Sequence, residues 1–123
     1  LLVLLPVLAF GEEFQTPSIT AERLAALLGT PEEPMVVDVR PLAEYKTGHL
    51  AGAINIPHTK VEKRLDELNQ GQNGIVLYCT LGHRTRLVER ILLDQDVPHV
   101  LHLEGGLGAW RQGGHPIHTG WGP

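Results

Sequence analysis

Ile75-Val76-Leu77-Tyr78-Cys79-Thr80-Leu81-Gly82-His83-Arg84-Thr85 is an apolar run that ends in the chain's single cysteine and passes at once into a polar, glycine-containing loop. Four apolar residues in succession read as a buried strand of a parallel sheet, and the segment from Thr85 to Asp96 reads as a helix. Cys79 therefore falls between the C-terminal end of a strand and the N-terminus of a helix. Open α/β sheets bind ligands there, because helix N–H groups lack partners and the helix dipole favours an anion. A thiolate is such an anion. A lone cysteine at a strand end can equally be a small buried hydrophobe, and position alone leaves both readings open.

A chain of 123 residues suits one domain with a real core. With 42% apolar and 20% charged residues it reads as globular, not as disordered or coiled coil. The net charge is -4 and Lys and Arg are scattered, which speaks against a nucleic-acid partner. One cysteine excludes an internal disulfide, so the fold does not depend on an oxidising compartment.

Residues 1–11, Leu1 to Gly11, are apolar and uncharged, too short for a membrane-spanning helix of about 20 residues, and interrupted by Pro6. They fit the apolar region of an export signal, with Ala9-Phe10-Gly11 before Glu12-Glu13 as a small-x-small cleavage pattern. The expectation is a signal remnant over 1–11, a linker over 12–17, the domain over 18–116 and a tail over 117–123. The mature domain is then periplasmic or secreted, with no stable membrane insertion. If the segment is no signal, it is an apolar arm packed on the domain or a neighbour, and the protein is cytoplasmic.

Along the chain, Thr20 is placed to cap a helix with the stripe Ala21, Leu24, Leu27 and Leu28, stopped by Gly29. Met35 to Val39 reads as an interior strand broken by Asp38, whose carboxylate needs an Arg or backbone N–H partners. A short helix over Pro41 to Lys46 and a brief strand over Ala53 to Pro57 follow. A helix is expected from Thr59 to Asn69, and in the helix after Cys79 an inner face of Leu87, Val88, Ile91 and Leu92. His99 to Leu103 is a further strand, Leu107 to Arg111 a short helix burying Trp110, and Gln112 to Pro123 a surface tail. Strands alternating with helices predict an α/β domain, a mostly parallel central sheet of about five strands with helices on both faces. His99 and His102 fall on opposite faces of their strand, and no ligand set has metal spacing, so no metal or cofactor is expected.

The loop Cys79-Thr80-Leu81-Gly82-His83-Arg84-Thr85 resembles the active-site loop of the rhodanese-like sulfurtransferases. Val37-Asp38-Val39-Arg40, Glu44-Tyr45, Gly48 to Pro57 and Leu103-Glu104-Gly105-Gly106-Leu107-Gly108-Ala109-Trp110 match the same family in order, over about Ser18 to Pro116. The resemblance implies a rhodanese-like fold in which Cys79 is the nucleophile and persulfide carrier. Thr80, Leu81, Gly82, His83, Arg84 and Thr85 then form the substrate cradle: Gly82 lets the backbone curl, Arg84 adds positive charge, His83 tunes the thiolate and Thr85 caps the helix. Asp38 and Arg40 are implied as structural supports behind it. The partners implied are a small sulfur donor such as thiosulfate and a thiophilic acceptor such as cyanide or a thiol, with a protein acceptor possible.

Cys79 to Arg84 is a Cys-x4-Arg arrangement of six residues. Relatives acting on phosphate or arsenate use a longer Cys-x5-Arg ring, so sulfur chemistry is favoured. Neutral Thr80 and Leu81 stand where thiosulfate-preferring members often carry a basic residue, which leaves the donor open. The alternative is a sulfur-relay or redox module that binds a protein partner and turns over small donors poorly.

Overall fold

The computed structural model describes residues 16–123. The segment 1–11 and most of the expected linker lie outside the described residues. In chain order the elements are β1 (Ser18–Ile19), α1 (Ala21–Leu27), β2 (Met35–Asp38), α2 (Leu42–Thr47), β3 (His49–Leu50) and β4 (Ile54–Asn55). A 3-10 turn (His58–Lys63), α3 (Leu65–Leu68), β5 (Ile75–Tyr78), α4 (His83–Asp94), β6 (Val100–Leu103), α5 (Gly106–Gln112) and β7 (Ile117–His118) complete the order.

Five strands form one parallel sheet in the order β1-β6-β5-β2-β4. The central strands β2 and β5 run in register from Met35 opposite Ile75 to Asp38 opposite Tyr78. Both are buried on two faces, which is why they are continuous apolar runs. Alternation still sorts their side chains. Val37, Leu77 and Cys79 join Ile56, Val61, Leu68, Val88 and Leu92 in one core, under α3, α4 and the 3-10 turn. Val36, Val76 and Tyr78 join Leu24, Leu50, Leu103, Leu107 and Trp110 in the other, under α1 and α5. Cys79 thus belongs to the α4 face.

Several local expectations are corrected. The helix expected over 59–69 is two pieces, because Arg64 (φ -123°, ψ 27°) leaves the helical region while its guanidinium binds Asn55 O and Glu67. Helix α4 begins at His83, since Gly82 (φ 111°) turns the chain directly into it. Its buried stripe is Thr85, Val88, Glu89 and Leu92, and Leu87 is exposed, so the inner face includes a carboxylate where a leucine was expected. The strand after α4 starts at Val100 because His99 has a positive φ of 57°. The tail is tied down as well: β7 pairs antiparallel with β3, and Trp110 Nε1–H donates to Pro116 O at 2.8 Å. Strand β1 is too short and polar to be read from sequence, and forms because β6 offers it an edge.

Candidate functional site

Cys79 leaves the end of β5 with its side chain 2% exposed, at the floor of a loop that α4 closes. The Gly82 N–H donates to Cys79 Sγ at 3.0 Å. That bond requires the chain to double back within three residues, and Gly82 does so in the left-handed region where a side chain is strained. Arg86 N–H bonds Gly82 O at 3.0 Å as the first helical bond of α4. The N–H groups of His83, Arg84 and Thr85 therefore have no carbonyl four residues back within the helix. A sulfur at this helix head faces the positive end of the dipole.

The loop is buttressed from α5. Leu107 N–H donates to Cys79 O at 3.0 Å, which holds the start of that helix against the loop backbone. Gly106, at φ 55°, makes the approach possible: a Cβ there would lie 2.4 Å from Cys79 O and 2.7 Å from Thr80 O. The strand below the cysteine is fixed by a buried polar network. Tyr78 O–H donates to Asp38 Oδ2 at 2.7 Å and accepts from Leu50 N–H at 3.0 Å. Arg40 binds the same carboxylate through Nε, Nη2 and its backbone N–H, and passes a further bond to Gly48 O. Asp38 thus takes both kinds of partner open to it, an Arg and a backbone N–H. Burial and the Asp38 charge push the Tyr78 phenol up, so it stays a donor.

The other loop residues are spread around the mouth. Thr80 and His83 are exposed, and Leu81 is 79% exposed. Arg84 reaches Glu44 on α2, Nη1 to Oε2 at 3.0 Å and Nη2 to Oε1 at 3.2 Å. The pair holds Glu44 below its ordinary value, the Arg84 hydrogen bond outweighing the smaller opposing effect of burial. Thr85 does not cap the helix: it lies inside the first turn, fully buried, and its hydroxyl has no partner in the structure. Glu89 is a site neighbour that the sequence reading did not name, while Glu44 entered there only within the Glu44-Tyr45 match and His102 only as a rejected metal ligand.

Among the described residues no group of three or more His, Cys, Asp or Glu side chains converges as a metal site would require. A cavity of about 680 Å³ opens at the other end of the sheet, where Gly74, Pro98 and His99 precede β5 and β6. It is remote from Cys79, which lies at the strands' C-terminal end.

The parallel sheet with a cysteine loop at a helix head defines a class. A family model for the rhodanese-like domain matches residues 20–113, and the chain belongs to that family. It is 32% identical over 99 residues to a sulfurtransferase of Allochromatium vinosum, covering 80% of this chain and 92% of that protein. It is 38% identical over 89 residues to the HTH-type transcriptional regulator Rv0324 of Mycobacterium tuberculosis, covering 72% of this chain. A putative sulfur carrier protein, YrkF of Bacillus subtilis, is 31% identical over 94 residues, 76% of this chain. The chain spans 39% of that regulator and 50% of that carrier. Among solved structures, a thiosulfate sulfurtransferase of Pseudomonas aeruginosa superposes with a TM-score of 0.78 at 29% identity, over 94% of this chain and 23% of that one.

Proposed function

We propose that the chain is a sulfurtransferase in which Cys79 carries sulfane sulfur as a persulfide. The observation that carries this reading is the Gly82 N–H on Cys79 Sγ at 3.0 Å, inside a six-residue Cys-x4-Arg loop at a helix head. The Cys79 thiolate attacks the outer sulfur of thiosulfate; the S–S bond of the donor breaks, sulfite leaves with the electron pair, and a Cys79 persulfide forms. Cyanide or a thiolate then attacks the outer sulfur, and the Cys79 thiolate leaves unchanged. Backbone N–H groups of the loop stabilise negative charge on the terminal sulfur in both steps. Arg84 supplies the positive charge at the mouth, with His83 exposed beside it. The relation to a sulfurtransferase of similar length supports the reading.

The test is intact-mass measurement after incubation with thiosulfate. A gain of one sulfur that disappears on adding cyanide and is absent in Cys79→Ser is the expected result. No sulfur adduct from thiosulfate or from a low-molecular-weight persulfide overturns it.

A second reading, delivery of the sulfur to a protein acceptor, is favoured by the exposed Leu81 and neutral Thr80 at the mouth. An exposed leucine beside an uncharged threonine gives a protein surface something to contact and a small anion nothing to bind. Persulfide formation with negligible cyanide turnover, and saturable transfer to a protein thiol, distinguishes it. The apolar segment 1–11 supports export as part of the proposal, and N-terminal sequencing of the mature protein tests that.

A further inference from the structure

His49 is fully buried at the start of β3, and both of its ring nitrogens meet backbone carbonyls. Nδ1 lies 2.8 Å from Tyr45 O in α2, and Nε2 lies 2.8 Å from Gly122 O in the tail beyond β7. A carbonyl oxygen can only accept. A neutral imidazole has one N–H and one lone pair, so it satisfies one of these oxygens and sets a lone pair against the other. The imidazolium, with both nitrogens protonated, donates to both. The ring also lies flat on Tyr45, with centroids 3.6 Å apart and planes 7° from parallel, and an aromatic face attracts a cation.

The two bonds differ in what they hold. Tyr45 O is four residues back in the same turn and also takes the Gly48 N–H at 3.2 Å, so that contact is local. Gly122 O belongs to a segment that crosses back over α2, where Gly120 N–H donates to Lys46 O at 2.8 Å and Lys46 Nζ stands 4.6 Å over the Trp121 ring. A ring that loses its second proton keeps the local bond and gives up the tail. Trp121, 74% exposed, is one wall of a groove that Leu42, Asn55, Pro57, Lys60 and Arg64 complete. Charged and titratable groups approach His49 from several elements: Tyr45 and Lys46 on α2, and His118 on β7, edge-on with centroids 6.3 Å apart. Arg40, paired with Asp38, binds Gly48 O; Arg111 of α5 reaches the Gly48 backbone; and Tyr78 of β5 takes the Leu50 N–H. Burial and the two guanidinium groups disfavour a second proton, and the paired carbonyls and the Tyr45 face favour it. Proton and tail therefore hold each other in place.

We infer that His49 is a proton-operated clasp for residues 119–123. Doubly protonated, it joins α2 to Gly122; neutral, it keeps Tyr45 O and releases the tail, which opens the groove beside Trp121. The groove adjoins α2, which also carries Glu44, so the clasp governs the surface next to the mouth. This goes beyond the sulfur chemistry and holds whatever Cys79 carries.

The experiment follows the full chain from about pH 5 to 9, a range that brackets imidazole titration. Nitrogen NMR of the His49 ring reads the protons, and the hydrogen-exchange protection factor of the Gly120 amide reads the tail. At the acid end both ring nitrogens are expected to carry protons and Gly120 to be protected. As pH rises, Nε2 is expected to lose its proton while the Gly120 protection factor falls about tenfold in the same step, the size set by loss of a bond from a charged donor. His49→Gln, whose amide has a single nitrogen, cannot donate to both carbonyls and is expected to show the lower protection throughout. His118→Gln is expected to keep the step. A His49 ring that carries one proton across the whole range overturns the inference, as does a step that survives in His49→Gln or vanishes in His118→Gln. If His49→Gln fails to fold, the coincidence of the two wild-type readouts decides. No sulfur donor enters these measurements, so their outcome is separate from that of the thiosulfate test.

Discussion

Arg84 and Glu44 form a two-pronged ion pair between the head of α4 and the short helix α2, with both guanidinium Nη atoms on the two carboxylate oxygens. The cation next to the cysteine is thus already engaged. An anionic donor must share Arg84 with Glu44 or displace it, and the pair sets how strongly the mouth attracts negative charge.

Glu44→Gln removes the competing charge and leaves the shape. The pair is partly exposed, and such pairs contribute only about 0.2–1 kcal/mol, so the fold is expected to tolerate the change. With thiosulfate as the proposed donor, KM is expected to fall about two- to fivefold, on the same energy scale, with kcat little altered. Arg84→Gln moves KM the other way. Steady-state kinetics of both variants at fixed ionic strength checks the pair of signs; a higher KM in Glu44→Gln defeats the competition argument.

Gly106→Ala and Gly108→Ala differ by two positions in one short helix and should behave oppositely. A Cβ at Gly106 meets the carbonyls of Cys79 and Thr80 inside 3 Å at a positive φ, whereas one at Gly108 meets nothing within 4 Å. The first is expected to cost at least about 2 kcal/mol, because backbone must move, and the second to stabilise by about 0.5–1 kcal/mol through lower unfolded-state entropy. Denaturant unfolding of the two variants measures both. Gly106→Ala should also lose persulfide formation, since α5 can no longer seat on the loop.

Asp38→Ala leaves the Arg40 guanidinium, 4% exposed, without its carboxylate and frees the hydroxyl of Tyr78. Breaking one side of a buried pair costs about 3–5 kcal/mol. That loss, read from chemical denaturation, should far exceed the change in Glu44→Gln even though both remove one carboxylate from an Arg.

The chain's two tyrosines, Tyr45 and Tyr78, are both buried, and burial first and the Asp38 charge second raise both phenols above the ordinary value of 10.0. The folded protein should show no phenolate absorbance as pH passes 10, and both rings should titrate together on unfolding. Since the fold holds these protons more tightly than the unfolded chain, stability falls as pH rises above 10. Near-ultraviolet titration of native and denatured protein checks the separation.

The place of Cys79 was legible because a parallel strand must be apolar throughout, and Ile75 to Tyr78 is such a run ending at the cysteine. The sheet was legible for the same reason, and the cap at Thr20 because capping is local: its Oγ1 accepts the Arg23 N–H at 3.1 Å. What was not legible depends on approach in three dimensions. Nothing local tells which cation Glu44 meets forty positions away, or that Asp38 takes Arg40 and leaves Arg84 to α2. Val88, Ile91 and Leu92 of α4 meet the core as expected, and only Leu87 was placed inside in error, because it is apolar and Glu89 is not. The helix turns by its own period, and the carboxylate goes inward because His102, Thr16 and Arg86 wait for it.

That inward carboxylate gives the acid limb its sign. Glu89 is held below the ordinary 4.5, so between 4.5 and its lower folded value the unfolded chain binds a proton that the folded chain does not. Stability therefore rises with pH through that window, is fully present above 4.5, and is lost as pH falls through the folded value. Glu44 shifts the same way, but its exposure lets solvent screen the pair and makes its share smaller. Glu89→Gln is expected to flatten the acid limb of the stability profile and to lower stability at neutral pH, because the bonds that the Glu89 carboxylate accepts from Thr16 and Arg86 weaken. Glu44→Gln should leave the limb nearly as steep as in the wild type. Urea midpoints from pH 3 to 7 for the three proteins measure this, and an acid limb of wild-type slope in Glu89→Gln assigns the loss to other carboxylates.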